Sequence, residues 1–535
     1  MKQTSVVIIG GGATGIGILR DLSMRGVDAV LLEMGGLAHG TSSRFHGLLH
    51  SGARYAVGDP ESARECIEEN MIMRRIGKQC VEETEGFFAA LPEDDPDFAA
   101  RWVTACKAAG IAAEAVDPEE ARRLEPRLSP HVREVYRVPD SCIDGFRLAW
   151  HNALSARRYG GEVLTYHEVT AIRTEQGRVI GVDAKNRVTG ETVAIDCEYI
   201  VNAAGSWSGV VARMAGLDVS VSPDKGTLIV FNHRFTSRVV NRLHKSSDGD
   251  IFVPHGSVTI FGTTSTPSKD PADSLPTSED VTRLLDIGEP LFPDLRSYRI
   301  LRAFAGTRPL YTPNSAAGRA ASRNFHIVDH MDEGLRGMAS IFGGKLTTYR
   351  LMAERMSDLV CRRLGVTTPC RTAEEAIIPD PAPEVLERAA RSFPAHGIRL
   401  VADRLGDAFG DVVKNAAREA DNGMLCECEM VTAAEIEYVA NDPATHSLHD
   451  VRLRTRLGMG TCQGTFCSLR AAAALAERHV NFALSPVRDV QNFLQERWRG
   501  LRPALWDTQL KESELNRAVY LATLNLDGAC REQNN

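Results

Sequence analysis

The sequence has no long uninterrupted apolar segment, no signal-peptide pattern, no internal repeat and no excess of basic residues. No run approaches the roughly 18 to 20 apolar residues of a membrane-spanning helix. The short apolar run after Lys2 and Gln3 leads directly into a glycine turn, which indicates a strand rather than a secretory signal. A formal net charge of -8 gives no general attraction to nucleic acid or anionic lipid. We therefore expect a cytoplasmic protein that neither spans a membrane nor binds nucleic acid.

Cysteine is too sparse for a disulfide scaffold, because only twelve cysteines are spread over 535 residues. Four of them stand as two close pairs near the C-terminus, a grouping typical of metal ligands, and this favours a reducing compartment. The length exceeds what one hydrophobic core usually organises. We expect two or three domains, with room to bury a large cofactor.

A glycine-rich turn lies between two short apolar runs at the N-terminus. Residues 4–33 have the pattern of a strand, a tight turn, a helix and a second strand. Gly10 suits the tight turn, Gly12 the close approach of backbone to a pyrophosphate, and Gly15 the packing of helix against sheet. Glu33 ends the second strand, where a carboxylate can accept hydrogen bonds from ribose hydroxyls. The pattern predicts a dinucleotide site, and both NAD and FAD use such a turn.

Three further segments favour FAD. Residues 41–44 offer hydroxyls and a cation at the height of a phosphate or flavin. Residues 200–207 form a second strand that ends in small residues and resembles the motif near FAD in flavoproteins with two dinucleotide-binding folds. Residues 341–350 resemble the closing segment of that group, a glycine pair opening a helix whose N-terminal dipole would stabilise charge on a reduced flavin. The expected cofactor residues are Gly10, Gly12, Gly15, Glu33, Thr41, Ser42, Ser43, Ala204, Gly205, Gly343, Gly344, Lys345, Leu346 and Thr347.

The expected fold is an α/β, Rossmann-like FAD-binding domain of the two-dinucleotide-binding-fold type, with an interleaved α+β substrate domain and a small, mostly helical C-terminal domain. Four prolines crowded between residues 369 and 383 indicate a linker. The predicted segments are an FAD-dependent oxidoreductase domain with interleaved substrate-binding segments at 1–365, a proline-rich linker and helical connector at 366–420, a cysteine-bearing domain at 421–480 and a helical tail at 481–535.

Three polar segments supply candidate substrate contacts. Arg54, Arg308 and Lys345 each stand beside glycine turns and together offer the cations that a small phosphorylated substrate requires. Hydride transfer from a secondary alcohol also needs a group that accepts the hydroxyl proton, and histidine suits this. The candidate bases are His46, His50 and His255. Lys345 or a flanking arginine could instead stabilise the alkoxide.

These segments resemble the diagnostic segments of the FAD-dependent glycerol-3-phosphate dehydrogenase family. The resemblance rests on residues 51–55, 305–310 and 343–350, and with the cysteine pairs it extends over the whole chain to the flavin-bearing chains of the bacterial anaerobic enzymes. In that family the matching arginines and lysine contact the phosphate or the carbinol. The expected substrate contacts are Arg54, Tyr55, Arg308, Lys345, Thr348 and His255, and the expected catalytic residues are Arg308, Lys345 and His50.

The cysteine pairs are Cys426-x-Cys428 and Cys462-x4-Cys467. Thiolates suit iron-sulfur clusters or zinc, but zinc sites usually place two residues between paired cysteines. The spacing resembles the [2Fe-2S] domain of bacterioferritin-associated ferredoxin, although the second pair there is usually Cys-x2-Cys. We expect a [2Fe-2S] cluster within 421–480, with zinc and an empty or degenerate site as the alternatives.

The resemblance implies oxidation of sn-glycerol 3-phosphate to dihydroxyacetone phosphate, with hydride transfer to FAD. Single electrons would leave through the [2Fe-2S] cluster and reach the quinone pool in anaerobic respiration. The implied partners are a second soluble subunit, together with an iron-sulfur membrane-anchor subunit, which would hold a cytoplasmic chain at the inner face of the cytoplasmic membrane. Aerobic relatives lack the cysteine module and reduce quinone directly.

Two other functions stay open from the sequence. The first is a related FAD-dependent 2-hydroxyacid or amino acid dehydrogenase, in which Arg54 and Arg308 would bind a carboxylate. The second is a non-catalytic electron-transfer subunit that keeps the cofactors without turning over a substrate. A requirement for phosphate in the substrate distinguishes the first alternative, and substrate-dependent bleaching of the flavin distinguishes the second.

Overall fold

The computed structural model describes residues 2–311, 324–418, 422–478, 480, 482 and 486–526. The strands are β1 Lys2–Ile9, β2 Ala29–Leu32, β3 Leu48–Leu49, β4 Val81–Glu82, β5 Gly86–Ala90, β6 Glu114–Val116, β7 Glu134–Val138, β8 Ser141–Ile143, β9 Glu162–Leu164, β10 His167–Glu175, β11 Arg178–Asn186, β12 Thr192–Asn202, β13 Val221–Phe231, β14 Val239–Arg242, β15 Ile251–His255, β16 Val258–Gly262, β17 Thr266–Pro267, β18 Ile300–Tyr311, β19 Phe325–Asp329, β20 Met338–Gly343, β21 Met424–Cys426 and β22 Val431–Thr432. The helices are α1 Ala13–Met24, α2 Pro60–Ile76, α3 Pro96–Ala108, α4 Pro118–Leu124, α5 Gly145–Arg158, α6 Ser208–Met214, α7 Ser278–Gly288, α8 Tyr349–Leu364, α9 Pro383–Ala389, α10 Ala395–Leu405, α11 Phe409–Arg418, α12 Ala433–Ala440, α13 Leu448–Thr455, α14 Cys467–Glu477, α15 Pro486–Leu501 and α16 Asp507–Thr523.

The first large sheet has β1 near its centre. β1 pairs in parallel with β2 and β12, β2 with β9, and β12 with β20, while β10, β11 and β19 join by antiparallel pairing. Val6 and Ile8 face a core to which α1, α5 and α8 contribute, and Val7 and Ile9 face a second core with β10 and β11. Because β1 is covered on both faces, its sequence is a continuous apolar run. The expected Rossmann-like fold is confirmed.

The second large sheet is assembled from separate stretches of the chain. β5, β6 and β7 follow β2 in sequence, and β13 to β18 follow β12. The antiparallel pair of β13 and β18 extends from the Val221–Tyr311 pair to the Phe231–Ile300 pair. Aromatic side chains fill the core beneath this sheet, among them Phe231. Since strands of the two sheets alternate along the chain, the substrate domain is interleaved with the nucleotide domain, as expected.

The C-terminal region is helical and packs as one body. β21, β22, α12, α13 and α14 form the cysteine module, whose core also takes in Phe493 of α15 and Leu521 of α16. The connector helices α9 to α11 share a second core with Ala434 and Val439 of the module. The connector and the tail therefore pack on the module rather than standing apart from it. Across the described residues, no helix combines the length and the apolar character needed to cross a bilayer.

Asp450 on α13 joins the cysteine module to the nucleotide domain. It is 2% exposed, accepts a hydrogen bond from the Tyr166 hydroxyl at 3.0 Å, and its Oδ1 lies 3.7 Å from Nε2 of His39. A Cβ at Gly36 would lie only 2.2 Å from Oδ1 of Asp450. The backbone N–H of Tyr166 in turn donates to the carbonyl of Gly35. The module thus rests on the loop that follows β2.

Gly15→Ala is expected to lower the free energy of unfolding by about 3 kcal/mol, because a Cβ there would lie 1.9 Å from the carbonyl oxygen of Gly10. Gly410→Ala is the matched control: Gly410 also lies in a helix, and its Cβ would meet Val385 at an ordinary 3.5 Å. That control is expected to be neutral or slightly stabilising, since alanine favours helix. Urea unfolding followed by far-UV circular dichroism measures both, and equal midpoints for the two variants would contradict the packing argument.

Candidate active site and cysteine module

One cavity of about 1280 Å³ extends from the glycine turn to the cationic segments. Its volume exceeds the 300–1000 Å³ of ordinary small-ligand pockets, and it can hold a dinucleotide together with a small substrate. The sequence-predicted residues that line it are Gly10, Gly12, Glu33, Thr41, Ser42, His46, His50, Arg54, Tyr55, Ala204, Gly205, Arg308, Gly343, Gly344, Lys345, Leu346 and Thr347. The structure therefore brings most of the expected cofactor and substrate residues to one site.

The glycine turn provides a close backbone approach at the N-terminus of α1. Gly10 has φ of +114°, and a Cβ there would lie 2.5 Å from the carbonyl oxygen of Ala203 on the neighbouring strand end. A Cβ on Gly12 would meet only the hydroxyl of Ser42, at 3.0 Å. Ser42 Oγ accepts a hydrogen bond from the backbone N–H of Ala13 at 2.9 Å. This end of α1 has the geometry that places backbone N–H groups and a helix dipole against a pyrophosphate.

Glu33 is held in place by backbone donors. Its carboxylate accepts hydrogen bonds from the N–H of Gly11 at 2.6 Å and the N–H of Gly35 at 2.8 Å. These two bonds fix the side chain at the end of β2, beside the turn. Each carboxylate oxygen keeps further acceptor capacity, so Glu33 can also accept the hydroxyls of a ribose.

Residues 41–43, which carry three hydroxyls, follow β2 of the first sheet and contact β18 of the second sheet. Thr41 Oγ1 donates to the carbonyl of Thr307 at 2.6 Å, and Ser206 Oγ donates to the same carbonyl at 2.9 Å. Ser43 differs from the expectation: its hydroxyl donates to the carbonyl of Gly40, and the residue lines a smaller adjoining cavity instead. The reason is the single helical turn over residues 41–43, which points successive side chains in different directions.

The closing segment forms a second glycine turn at the start of α8. Gly343 and Gly344 have φ of +81° and +72°, conformations that side chains rarely adopt. Thr347 Oγ1 accepts a hydrogen bond from the N–H of His50 at 3.1 Å. This bond connects the turn to residues 46–55, which we call the substrate segment. Thr348 is fully buried and its hydroxyl donates to the carbonyl of Lys345 at 3.2 Å. Thr348 thus shapes the turn and does not line the cavity, contrary to its expected role as a substrate contact.

Arg54 and Arg308 are each braced by a buried carboxylate on the second sheet or beside it. Arg54 Nη2 pairs with Asp250 Oδ2 at 2.7 Å and donates to the carbonyl of Ser247 at 3.1 Å. Arg308 forms an ion pair with Asp224, and its Nη2 donates to the carbonyl of Thr264 at 2.8 Å. Fixed guanidinium planes of this kind suit recognition of phosphate oxygens.

Lys345, in the closing segment, lines the same cavity as the two arginines. Its Nζ lies 2.9 Å from the hydroxyl of Ser62 and 4.8 Å from the centre of the Tyr55 ring. The Tyr55 ring in turn lies 5.3 Å from the ring of His50, centre to centre. The cation, the phenol and the imidazole thus converge on one part of the cavity.

The Asp250 carboxyl, which pairs with Arg54, is kept ionised by its surroundings. Burial by itself would raise the pKa of the Asp250 carboxyl, but the Arg54 guanidinium and His244 outweigh burial and lower it to about 2. His244 Nε2 lies 2.8 Å from Asp250, and the Ser247 N–H donates to the same carboxylate at 2.6 Å. Asp250 therefore stays charged across the physiological pH range and keeps Arg54 oriented.

The two histidines of the substrate segment are neutral. Burial, followed by the charges of Arg54 and Arg308, lowers the pKa of His46 to about 3. Burial, followed by His46, Arg54 and Lys345, lowers the pKa of His50 well below 6.5. His46 Nδ1 accepts a hydrogen bond from the N–H of Leu48 at 3.2 Å, so its neutral ring carries the proton on Nε2. His50 is therefore the better placed of the two to accept a proton.

The structure does not bring His255 into the large cavity. The residue ends β15 and its ring faces the C-terminal region, where Nε2 lies 3.0 Å from Arg456 and 3.9 Å from Asp144. Its expected role as a substrate contact is thus not supported by its position. The tight β15–β16 connection sets this direction, and the sequence gives no sign of which face the ring takes.

Sequence reasoning missed the residues that position the cations. Asp250, Asp224 and Ser62 touch the three substrate-site cations from other elements of the fold. The only signal was that Asp248 and Asp250 stand close together before an apolar strand, which is also the pattern of an ordinary surface turn. Carboxylates within reach of arginines that are distant in sequence become visible only in the fold.

The four predicted ligand cysteines lie at one end of the cysteine module, with different exposures. Cys426 and Cys467 are buried, Cys462 is half-buried and Cys428 is exposed. Cys428 packs beside Gly460, where a Cβ would lie 3.1 Å from its sulfur, and its thiol is 3.6 Å from Thr461 Oγ1. Within the described ranges, no set of three or more Cys, His, Asp or Glu side chains is closed into a metal-binding arrangement.

Cys426 and Cys467 interact directly. A hydrogen bond from Cys467, together with the backbone N–H groups of Gly458 and Glu429, outweighs burial and holds the pKa of the Cys426 thiol below its usual range. The hydrogen bond with Cys426, burial and a negative charge on the nearby Cys462 sulfur raise the pKa of the Cys467 thiol. An all-thiol donor set with backbone N–H groups directed at sulfur fits an iron-sulfur cluster, whose ligands are thiolates.

Two family models match the chain. The model of the FAD dependent oxidoreductase family matches residues 5–350, and the model of the BFD-like [2Fe-2S] binding domain matches residues 424–477. The first covers more than half of the chain and ends just after the closing turn. The second contains all four cysteines of the module.

The chain is similar to known proteins over nearly its whole length. It is 44% identical to the A-type subunit of the anaerobic glycerol-3-phosphate dehydrogenase of Escherichia coli K12 over 98% of both chains, and 42% identical to the A1-type subunit of the Haloferax volcanii enzyme over 98% of this chain and 91% of that one. The structure of the glycerol-3-phosphate dehydrogenase from Bacillus halodurans complexed with FAD shares the fold with a TM-score of 0.72, 24% identity, and coverage of 95% of this chain and 97% of that one. The chain therefore belongs to the FAD dependent oxidoreductases and, among them, to the family of A-type subunits of anaerobic glycerol-3-phosphate dehydrogenases.

Proposed function

We propose that this chain binds FAD and oxidises sn-glycerol 3-phosphate to dihydroxyacetone phosphate. The observation that carries the proposal is the convergence of Arg54, Arg308 and Lys345 in the same cavity as the glycine turn. Arg54 and Arg308, held in fixed orientations by Asp250 and Asp224, offer forked N–H donors, and Lys345 adds a third cationic donor, a set that suits the three oxygens of a phosphate. The names of the relatives, which are 41 to 44% identical, support the same reaction.

The residues that line the cavity have separate roles in this proposal. Gly10, Gly12 and Glu33 hold the dinucleotide, and bound FAD supplies the acceptor for the hydride from C2 of the substrate. Arg54 and Arg308 bind and orient the phosphate. His50 accepts the proton of the C2 hydroxyl, so that the carbon loses a hydride and the oxygen a proton, and the product is a ketone.

A second group of residues completes the site in the same proposal. Lys345 stabilises the developing alkoxide, and Tyr55 packs against Lys345 and His50. The hydroxyls of Thr41 and Ser42, the Ala204–Gly205 strand end and the turn from Gly343 to Thr347 line the flavin part of the cavity. Gly15 contributes by its packing against Gly10, and not by contact with a ligand.

We further propose that electrons leave through a [2Fe-2S] cluster held by Cys426, Cys428, Cys462 and Cys467. Two partners then deliver the electrons to quinone in anaerobic respiration: a second soluble subunit and an iron-sulfur membrane-anchor subunit. These partners hold the chain at the inner face of the cytoplasmic membrane. The relatives are themselves named as one subunit of an enzyme, which supports the existence of other subunits. The proposed division of the chain is oxidoreductase 1–365, connector 366–420, cluster domain 421–480 and tail 481–535.

An anaerobic absorbance titration of the purified, flavin-loaded protein tests the function. Addition of sn-glycerol 3-phosphate is expected to bleach the flavin band near about 450 nm, whereas glycerol and lactate leave it unchanged. Bleaching by lactate or an amino acid would replace the proposal with a dehydrogenase of carboxylate substrates. Flavin that no small alcohol bleaches would indicate an electron-transfer subunit.

The rate of flavin reduction at saturating sn-glycerol 3-phosphate is expected to change by less than about twofold between pH 6 and 8. Burial and the neighbouring cations lower the pKa of His50 well below 6.5, so the ring stays neutral and able to accept a proton throughout this range. Anaerobic stopped-flow absorbance measures the rate. A loss of activity centred near pH 6.5 would show that the proton acceptor is an unperturbed histidine instead.

A further inference from the structure

A second cavity, of about 570 Å³, lies between the nucleotide domain and the cysteine module. It adjoins the large cavity behind Arg44 and Phe45, which line both. Its other walls come from β18 and from helices α13 and α15. The two expected cofactors are already accounted for by the large cavity and by the four cysteines, so this space has no assigned occupant.

Cationic side chains without anionic partners line this cavity. Arg302 and Arg452 form no ion pair and no hydrogen bond with any described residue, and the Nε of each is buried without an acceptor. The guanidinium of Arg452 stacks only on the Phe493 ring, 5.5 Å from its centre. Arg44 makes one long hydrogen bond, 3.4 Å, to the carbonyl of Ala305. Buried polar atoms normally have hydrogen-bond partners, so the unpaired Nε groups of the half-buried Arg302 and Arg452, with Arg44 beside the same cavity, suit an anion.

Histidine adds to the unsatisfied polar groups of the same wall. His449 Nδ1 is buried without a partner, and the ring lies 5.0 Å from that of His39. Burial, followed by His39, Arg452, Arg302 and Arg44, lowers the pKa of His449 well below 6.5. The ring is thus neutral and able to donate or accept a hydrogen bond without adding to the charge.

The acidic residues of the cavity do not balance the arginines. Asp144 is engaged by Arg456 at 3.2 Å, and Glu496 pairs with Arg499 at 2.8 Å while its charge also acts on Arg44, Arg302 and Arg452. Asp489 accepts the backbone N–H of Leu448, and burial raises its pKa to about 6. The described part of the cavity therefore carries an excess of positive charge.

The wall beside Arg302 is apolar, because Val230 is the cross-strand neighbour of Arg302 and Ile260 is that of Val230. Val230, Val258 and Ile260 present side chains from β13 and β16, and Phe304 follows on β18. A volume of about 570 Å³ lies in the range of pockets that hold a small organic molecule. An ion alone would fill only a small part of this volume.

We propose that this cavity binds an organic anion whose oxyanion head meets Arg302, Arg452 and Arg44 and whose apolar body packs on Val230, Val258 and Ile260. A phosphate ester and a carboxylate share this chemistry, and competition between probes distinguishes them. Apart from Arg44, which lines both cavities, the site stands on residues other than those of the substrate cavity. It therefore does not depend on the proposed reaction.

The test is a fluorescence titration of the FAD- and cluster-loaded protein with 1-anilinonaphthalene-8-sulfonate, a probe that joins a fixed anion to an aromatic body. Wild type is expected to bind about one equivalent. Arg302→Gln and Arg452→Gln are each expected to weaken binding by about tenfold or more, because each removes a charge from the head-group site. Displacement by adenosine 5′-monophosphate identifies a phosphate ligand, and displacement by decanoate a carboxylate.

Arg187→Gln is the matched control. Arg187 also lines the cavity, but its side chain is 52% exposed and pairs with Glu168 at 3.4 Å, so binding is expected to change less than about twofold. Equal affinity in wild type, Arg302→Gln and Arg452→Gln would overturn the proposal. A shift of the cluster potential in these variants without any change in probe binding would also overturn it, since the arginines would then serve only to offset cluster charge.

Discussion

Arg54→Met is expected to lower kcat/KM for sn-glycerol 3-phosphate by about 10³-fold, equivalent to about 4 kcal/mol. The change removes one arm of the phosphate site and keeps the aliphatic stem. Asp250 remains hydrogen-bonded to His244 and to the Ser247 N–H, so the fold is expected to survive. Anaerobic flavin reduction followed by stopped-flow absorbance, with retained FAD as a check of integrity, measures the effect.

Arg101→Met is the matched control for this variant. Arg101 lines the same cavity, but its side chain is 56% exposed and pairs with Asp95 at 2.8 Å. Its removal is expected to change kcat/KM by less than about threefold. If the two variants lost activity equally, Arg54 would have no special role in binding phosphate.

Cys462→Ser is expected to abolish the cluster spectrum while the flavin is still bleached by sn-glycerol 3-phosphate. Cys462 belongs to the module, whereas Arg54, His50 and Lys345 line a cavity built by the two sheets. Under the proposed electron route, turnover with quinone should fall to background, because the flavin could then not pass electrons on through the cluster. Visible absorbance, electron paramagnetic resonance of the reduced protein and anaerobic bleaching read the two sites separately.

Cys370→Ser serves as the control for the loss of a thiol. Cys370 is half-buried, lies outside the module, and contacts the hydroxyl of Thr372 at 3.0 Å. This variant is expected to keep both spectra. Loss of flavin bleaching in Cys462→Ser would show that the cluster and the substrate site are not separable.

The nucleotide half of the fold could be predicted because its signals are local. The apolar run of β1, the three glycines and Glu33 all lie within one stretch, and each has a physical requirement that few other residues meet. The packing of the C-terminal region was harder to predict. Helical periodicity shows that α11 has an apolar face, but not that this face meets Val439 of the cysteine module.

The cations of the candidate site could be predicted from the sequence, but the carboxylates that pair with them could not. Arg54 and Asp250 are 196 residues apart, and Arg308 and Asp224 are 84 apart, so no short pattern links them. His255 shows the opposite failure. Its chemistry suited a base, but the direction of its strand places the ring against Arg456, away from the substrate segment.

The contact made by Asp450 can couple the binding of a nucleotide to the docking of the cysteine module. Glu33 accepts from the N–H of Gly35, and the loop that begins there carries His39, against which Asp450 rests. A bound dinucleotide that stabilises this loop would also favour docking of the module, and by thermodynamic reciprocity a docked module would then raise the affinity for the dinucleotide by the same factor. Loss of the nucleotide would then also weaken the docking of the cysteine module on the nucleotide domain.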